Sequence, residues 1–162
     1  KYQNAVYLDG MLSIPHALTG AFVASQFPSP VYYVPGAFGL HYLQDWIPHW
    51  DFGTGLSTGK RKKSTAILLE LCELVVTFAL IYFVFQYGKT EIQYHIWAGA
   101  LMGIMPDFIE APRNFLKWEP FFLKPLNEFH GLFHNSTHNK FVGLLPQVLT
   151  VLVILWLVFR PI

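Results

Sequence analysis

The chain has 162 residues, 53% of them hydrophobic and only 13% charged, with a formal net charge of +1 and a mean hydropathy of +0.36. Soluble proteins carry about 25% charged residues, so an ordinary soluble domain is excluded and a membrane protein is the natural reading, ahead of a soluble helical lipid carrier. The single Cys72 excludes an intrachain disulfide and a thiolate zinc centre.

In chain order, "KYQNAVYLDG" (residues 1–10) is polar and precedes Met11, a natural start; it reads as a non-native or disordered extension, with 11–162 as one transmembrane helical domain. No Lys, Arg, Asp or Glu occurs from Met11 to Gln44, and "SQFPSP" (25–30) reads as a turn that splits this stretch into spans Met11–Phe27 and Val31–Trp50. Ser64–Tyr87 is a third span, apolar apart from Glu70, Glu73 and a few hydroxyls, and the Gly- and Ala-rich Glu91–Ile109 is a fourth. The uncharged Phe141–Phe159 is the clearest span, matching the ~30 Å hydrocarbon core at ~1.5 Å per residue. Pro15, Pro35, Pro48 and Pro146 predict kinks or helix ends. Ala111–Asn139 mixes charges with aromatics and reads as a segment on the membrane surface. The predicted fold class is all-α, a polytopic bundle of about five spans with a cytoplasmic-side interfacial segment.

"KRKK" (60–63), Arg113, Lys117, Lys124 and Lys140 fall on one side of these spans, opposite Lys89 and Arg160. The positive-inside tendency makes that side, and the amino terminus, cytoplasmic. KRKK is then read first as a topology signal, with a lipid-phosphate or nucleic-acid patch as the lesser reading; membrane lipids are the expected partners and no nucleic acid is. Trp46, Trp50 and Trp118 read as interfacial belt residues.

His41, Asp45 and His49 recur every four residues and share one helical stripe. On this topology His16, Glu70, Glu73, Asp107, His130, His134 and His138 lie at the same level near the inner face, and only His95 is remote, about 18 Å along its helix from Asp107. Ionisable groups within spans are costly and mark function. Neutral imidazole with carboxylate suits a divalent metal, Zn ahead of Mn or Fe, as one ion or two, and His41-x-x-x-Asp45 and His130-x-x-x-His134 each offer two ligands from one helix face. The plain structural alternative is that these groups hydrogen-bond one another and hold kinked helices together. Glu73 reads as a ligand, a general base or a partner of Arg113. Glu70 either snorkels toward KRKK or joins the site, while His49 and Asp51 read as helix-end caps or further ligands.

The segments "IPHALTGAFVA" (14–24), "GALMGIMPDFIE" (99–110) and "HGLFHNSTH" (130–138) resemble the H…GxxxPD…HRGxTHS pattern of small inner-membrane metal-dependent hydrolases, a family related to zinc-dependent phospholipase C and P1 nuclease. By that resemblance His16 matches the early histidine, Asp107 the PD aspartate, and His130 and His134 the paired histidines; His41 and Asp45 match an HxxxD pair of the wider group. Gly131 and Asn135 depart from the pattern's arginine and serine, and Glu110 stands one position beyond its second acid. The resemblance implies a metal-dependent hydrolase of a prokaryotic inner (plasma) membrane. Combined with the residue reading, the expected activity is hydrolysis of a phosphoester, with a lipid phosphate as candidate substrate. His16, His41, Asp45, Asp107, His130 and His134 are then the expected metal ligands and Glu73 the proton acceptor. The competing readings are a membrane di-iron oxygenase, and a non-enzymatic metal-binding or transport-associated protein. Seven histidines with no adjacent pair disfavour the oxygenase.

Overall fold

Prolines set several of the helix boundaries. The computed structural model describes residues 12–161 apart from 55, 57 and 58; the extension expected over 1–10 and the Met11 start lie outside the described residues. Helix α1 is Ser13–Gln26, and Pro30 occupies the first turn of α2, Pro30–Asp45, where a missing N–H leaves no bond unmade. Helix α3, Lys63–Ile81, widens into a π-type turn at Tyr82–Gln86. Helix α4, Tyr94–Ala111, does the same at Pro112–Leu116. A short α5, Lys124–Phe133, follows, and then α6, Lys140–Phe159, whose first turn is capped by Asn139 Oδ1 accepting from the backbone of Phe141 and Val142. The described residues contain no strand, only an isolated bridge between His49 and Ser136.

Two described helices are long and apolar enough to cross a bilayer, Lys63–Gln86 with 24 residues and Lys140–Phe159 with 20. Only 17% of each apolar window is buried, so both turn most of their hydrophobic surface outward. The expectation of about five spans is therefore corrected to two candidate spans among the described residues. Helices α1 and α2 have 14 and 16 residues, about 21 and 24 Å of helix against a core of roughly 30 Å. Helix α4 breaks its apolar run with Asp107 and Glu110. Of the three tryptophans read as belt residues, Trp46 and Trp118 are exposed, but Trp50 is buried, with the Arg61 and Lys140 cations stacked on its ring.

Helix α1 is the centre. Its Ala17, Leu18 and Ala21 join Ile81, Phe85, Ile96, Ala100, Ile104 and Ile154 in one core drawn from α1, α3, α4 and α6. The tightest approach is between α1 and α4. A Cβ on Gly20 would overlap the Gly99 carbonyl, and one on Gly103 would overlap the carbonyl of His16. Small residues four apart on α4 thus let two backbones touch, and the register of that contact places His16 beside the carboxyl half of α4. The long helices alternate in direction along the chain. The starts of α1, α3 and α6 and the ends of α2 and α4 therefore meet at one end of the bundle, tied by Ile14 N–H to Glu73 Oε1 (2.9 Å) and by Gln147, which donates to the Trp50 carbonyl (2.6 Å) and accepts from Leu12 N–H (3.2 Å).

Helix propensity alone favours Ala over Gly by ~1 kcal/mol, yet Gly20→Ala and Gly103→Ala are expected to destabilise the fold by about 1–3 kcal/mol through overpacking. Thermal unfolding followed by circular dichroism checks this; a raised midpoint in both variants would contradict the backbone contact.

Candidate functional site

The i, i+4 stripe of α2 faces inward at the crowded end: His41, Asp45 and, beyond the helix end, His49 are all buried. Asp45 is the hub. Its Oδ2 lies 3.1 Å from His41 Nε2 and 2.7 Å from His130 Nε2, while its Oδ1 lies 3.1 Å from His16 Nε2. Asp107, from α4, brings Oδ1 to 3.7 Å from both His41 Nε2 and His130 Nε2, and neither of its oxygens accepts a hydrogen bond among the described residues.

The outer atoms of the two imidazoles determine what their inner atoms can do. His41 Nδ1 donates to the Gly103 carbonyl at 2.8 Å, and His130 Nδ1 lies 3.2 Å from Oε2 of Glu110, whose other oxygen is gripped by Arg113. With its Nδ1 hydrogen committed to Gly103, His41 turns an Nε2 lone pair inward, and His130 does the same when its proton sits on the Nδ1 that faces the Glu110 carboxylate; the two Nε2 atoms are 3.3 Å apart and face two carboxylates. Four acceptors converging out of water require positive charge between them, either as protons on the imidazoles or as a bound cation. A metal fits. Ligand atoms ~2.0–2.1 Å from a tetrahedral zinc lie about 3.3–3.4 Å from each other, and the separations seen here, 2.7, 3.1, 3.3 and 3.7 Å, bracket that edge.

A second group adjoins the first. His49 Nε2 lies 3.2 Å from His134 Nε2, and an Asp51 oxygen is close enough to complete a three-residue set able to hold a metal. His49 Nδ1 donates to the Ile47 carbonyl at 3.0 Å, again leaving its Nε2 lone pair inward. Asp51 Oδ1 is held by Thr54, through N–H at 2.5 Å and the hydroxyl at 3.2 Å. The His130 and His134 rings are 5.6 Å apart, so the two groups share a wall. The paired histidines expected to act together instead divide between them, because α5 ends at Phe133 and His134 continues in extended backbone. That extended piece is clamped to the end of α2: Asn135 N–H donates to the Asp45 carbonyl at 3.0 Å, His49 N–H to Asn135 at 3.1 Å, and Thr137 N–H to His49 at 2.8 Å.

Of the expected metal ligands, His41, Asp45, Asp107 and His130 thus come together in the first group, His134 lies in the second, and His16 abuts Asp45 from behind, its ring 4.0 Å from that of His41. Glu73 is buried with Oε1 occupied by the Ile14 N–H at the start of α1. The α3 carboxylate that opens toward the site is Glu70, one turn earlier. It lines a cavity of about 470 Å³ together with Asp107, Glu110 and a wall of apolar side chains. His138 is exposed, and His95 lies at the opposite end of α4. The roles of His49 and Asp51 as site members, and of Glu110 as orienter of His130, were not separable from helix-end capping by spacing alone. The one available signal was that His49 and Asp51 follow Asp45 at four and six residues. Comparisons with protein-family models, curated proteins and solved structures find no match to this chain.

Burial draws the His134 imidazole down from 6.5 to about 3, so it stays neutral in the fold. Burial also opposes charge on His130, but the Asp45 hydrogen bond and the charge of Asp107 outweigh it and raise this group above 6.5. The signs are opposite. Below 6.5 the unfolded chain protonates His134 and the folded chain does not, so stability falls with acid; above 6.5 the folded chain keeps the His130 proton longer than the unfolded chain, so stability falls with alkali. For chelator-treated protein, His134→Gln is expected to flatten the acid side of the stability profile and His130→Gln the alkaline side. Unfolding midpoints between pH 5 and 8 measure both, and parallel profiles in all three proteins would contradict the assignment.

Proposed function

We propose that the protein is a membrane-embedded, metal-dependent hydrolase acting on a phosphoester near the lipid headgroups. The observation that carries this reading is the double placement of Asp107. The residue belongs to the convergent acceptor group, and it also lines a cavity of substrate size. A purely structural hydrogen-bond network, or a metal carrier, needs no such cavity beside it. The resemblance of the His16, Pro106–Asp107 and His130–His134 segments to inner-membrane metal-dependent hydrolases supports the same chemistry. The two outward-facing apolar helices support residence in a membrane, by that resemblance the inner membrane of a prokaryote, and the KRKK tract supports a cytoplasmic site.

The mixed imidazole–carboxylate set favours zinc, ahead of manganese or iron, held by His41, Asp45, Asp107 and His130, with His49, Asp51 and His134 as the place for a second ion. Bound there, a divalent cation would supply Lewis-acid polarisation of the phosphoryl group and a water of lowered pKa. Three neighbouring residues then orient the ligands: Glu110 and the Gly103 carbonyl hold the His130 and His41 rings, and His16 steadies Asp45. Glu70, with no hydrogen bond or ion pair among the described residues, faces the cavity and takes the proton of the attacking water. The water oxygen bonds to phosphorus as the phosphorus–oxygen bond to the alcohol breaks, and Glu70 returns the proton it took, so that the leaving oxygen departs as the neutral alcohol. Glu73 is assigned to hold the start of α1.

Elemental analysis of the purified full chain, paired with nitrophenol release from 4-nitrophenyl phosphate esters, tests this. His41→Ala and His130→Ala should lose stoichiometric metal. Glu70→Gln should keep metal and lose about 10²–10⁴-fold in turnover, the span typical of a lost general base. Glu73→Gln should instead lower the unfolding midpoint. Undiminished metal in both histidine variants, or no metal-dependent hydrolysis by the native chain, overturns the reading.

A further inference from the structure

We infer that the cavity between α3 and the carboxyl end of α4 seats a single hydrocarbon chain of the substrate, entering sideways from the bilayer; this rests on the hydrolase reading above. The lining divides sharply by chemistry. Ile67, Leu71 and Leu74 of α3 face Phe108 and Phe115 across about 470 Å³, and Glu70 and Asp107 supply charge. Asp107 is also a member of the acceptor group, so a chain lying along the apolar wall would carry its polar end to the candidate metal centre. A water-soluble phosphoester has no use for that wall. The apolar contact is worth having only for a substrate with a tail.

The surroundings point to a membrane lipid as the source. One wall of the cavity is α3, a helix long and apolar enough to cross a bilayer, and its outer face exposes Leu68, Val75 and Val76. A chain therefore passes from lipid to cavity around the edge of one helix without crossing water. Leu71 is 55% exposed while lining the cavity, so it stands at that edge. At the headgroup end the basic tract is pinned to the rim. Lys63 Nζ donates to the carbonyl of the cavity residue Phe115 at 2.6 Å, and Arg61 donates to the Phe52 carbonyl at 2.7 Å, next to Gly53 of the lining. Two cations beside a metal-binding group complement a phosphate, and the apolar wall complements what the phosphate is attached to.

The test uses the full chain, zinc-loaded in lipid nanodiscs, and monododecyl phosphate carrying a photoreactive diazirine at the chain end. Irradiation should label 67–74 and 108–116. Leu71→Trp, which fills the edge of the cavity, should cut this labelling by about tenfold, the factor for one to two methylenes denied burial, with metal content retained. Leu68→Trp on the outer face should leave labelling unaltered and serves as the folding control. Label spread evenly over outward residues such as Val75 and Leu152, with no response to Leu71→Trp, overturns the inference. Labelling needs no turnover. Metal-dependent cleavage of short-chain esters without cavity labelling would sink the chain site alone, and cavity labelling without cleavage of any ester would sink the hydrolase reading alone.

Discussion

A carboxylate withdrawn entirely from water must be matched by positive charge or donors, and Asp45 is such a group: none of its surface is exposed. Everything at this end of the bundle is arranged around that demand. His41 comes from the same helix, His16 from α1 and His130 from α5, each with Nε2 within hydrogen-bonding distance of an Asp45 oxygen. Because His41 already spends its Nδ1 hydrogen on Gly103 and the Nδ1 of His130 faces the Glu110 carboxylate, the demand passes inward to a space bounded by acceptor atoms. That space is the reason to look for a cation, and the reason the cluster differs from an ordinary buried ion pair.

Such convergence needs backbones held closer than side chains normally permit. The α1–α4 contact at Gly20, Gly99 and Gly103 provides this, and it does two jobs at once, since the Gly103 carbonyl also fixes the tautomer of His41. On the other side, the strand-like clamp between His49 and Asn135–Thr137 brings a segment from far along the chain against the end of α2. Gly143 belongs to the same joint. A Cβ there would meet the Trp50 backbone at 2.5 Å, so α6 packs directly on the piece of chain carrying His49 and Asp51.

The hydrolase reading draws together features that have no common purpose otherwise. An interior ring of acceptors, an adjoining apolar cavity, a basic rim and two helices facing outward with bare hydrophobic surface fit an enzyme whose substrate lives in the membrane. A proton- or metal-conducting role would use the acceptors but leave the cavity idle. A di-iron oxygenase would prefer more histidines than the seven present, two of which, His95 and His138, lie away from the cluster.

Read alone, the sequence determined the helical class, the apolar character and several helix ends. These follow from composition and proline chemistry, both of which are local. It also determined that His41 and Asp45 share a face, because four residues make about one turn. Tertiary packing decided the rest. Whether an apolar stretch spans a membrane or lies in the core depends on what surrounds it, and α1, uncharged throughout, is wrapped by its neighbours. Whether His130 and His134 act together depends on where α5 stops, and whether Glu70 or Glu73 meets the cavity depends on the rotation of α3 against α1 and α4. Spacing defines a stripe on a helix, but only the contacts between helices choose the direction in which that stripe points.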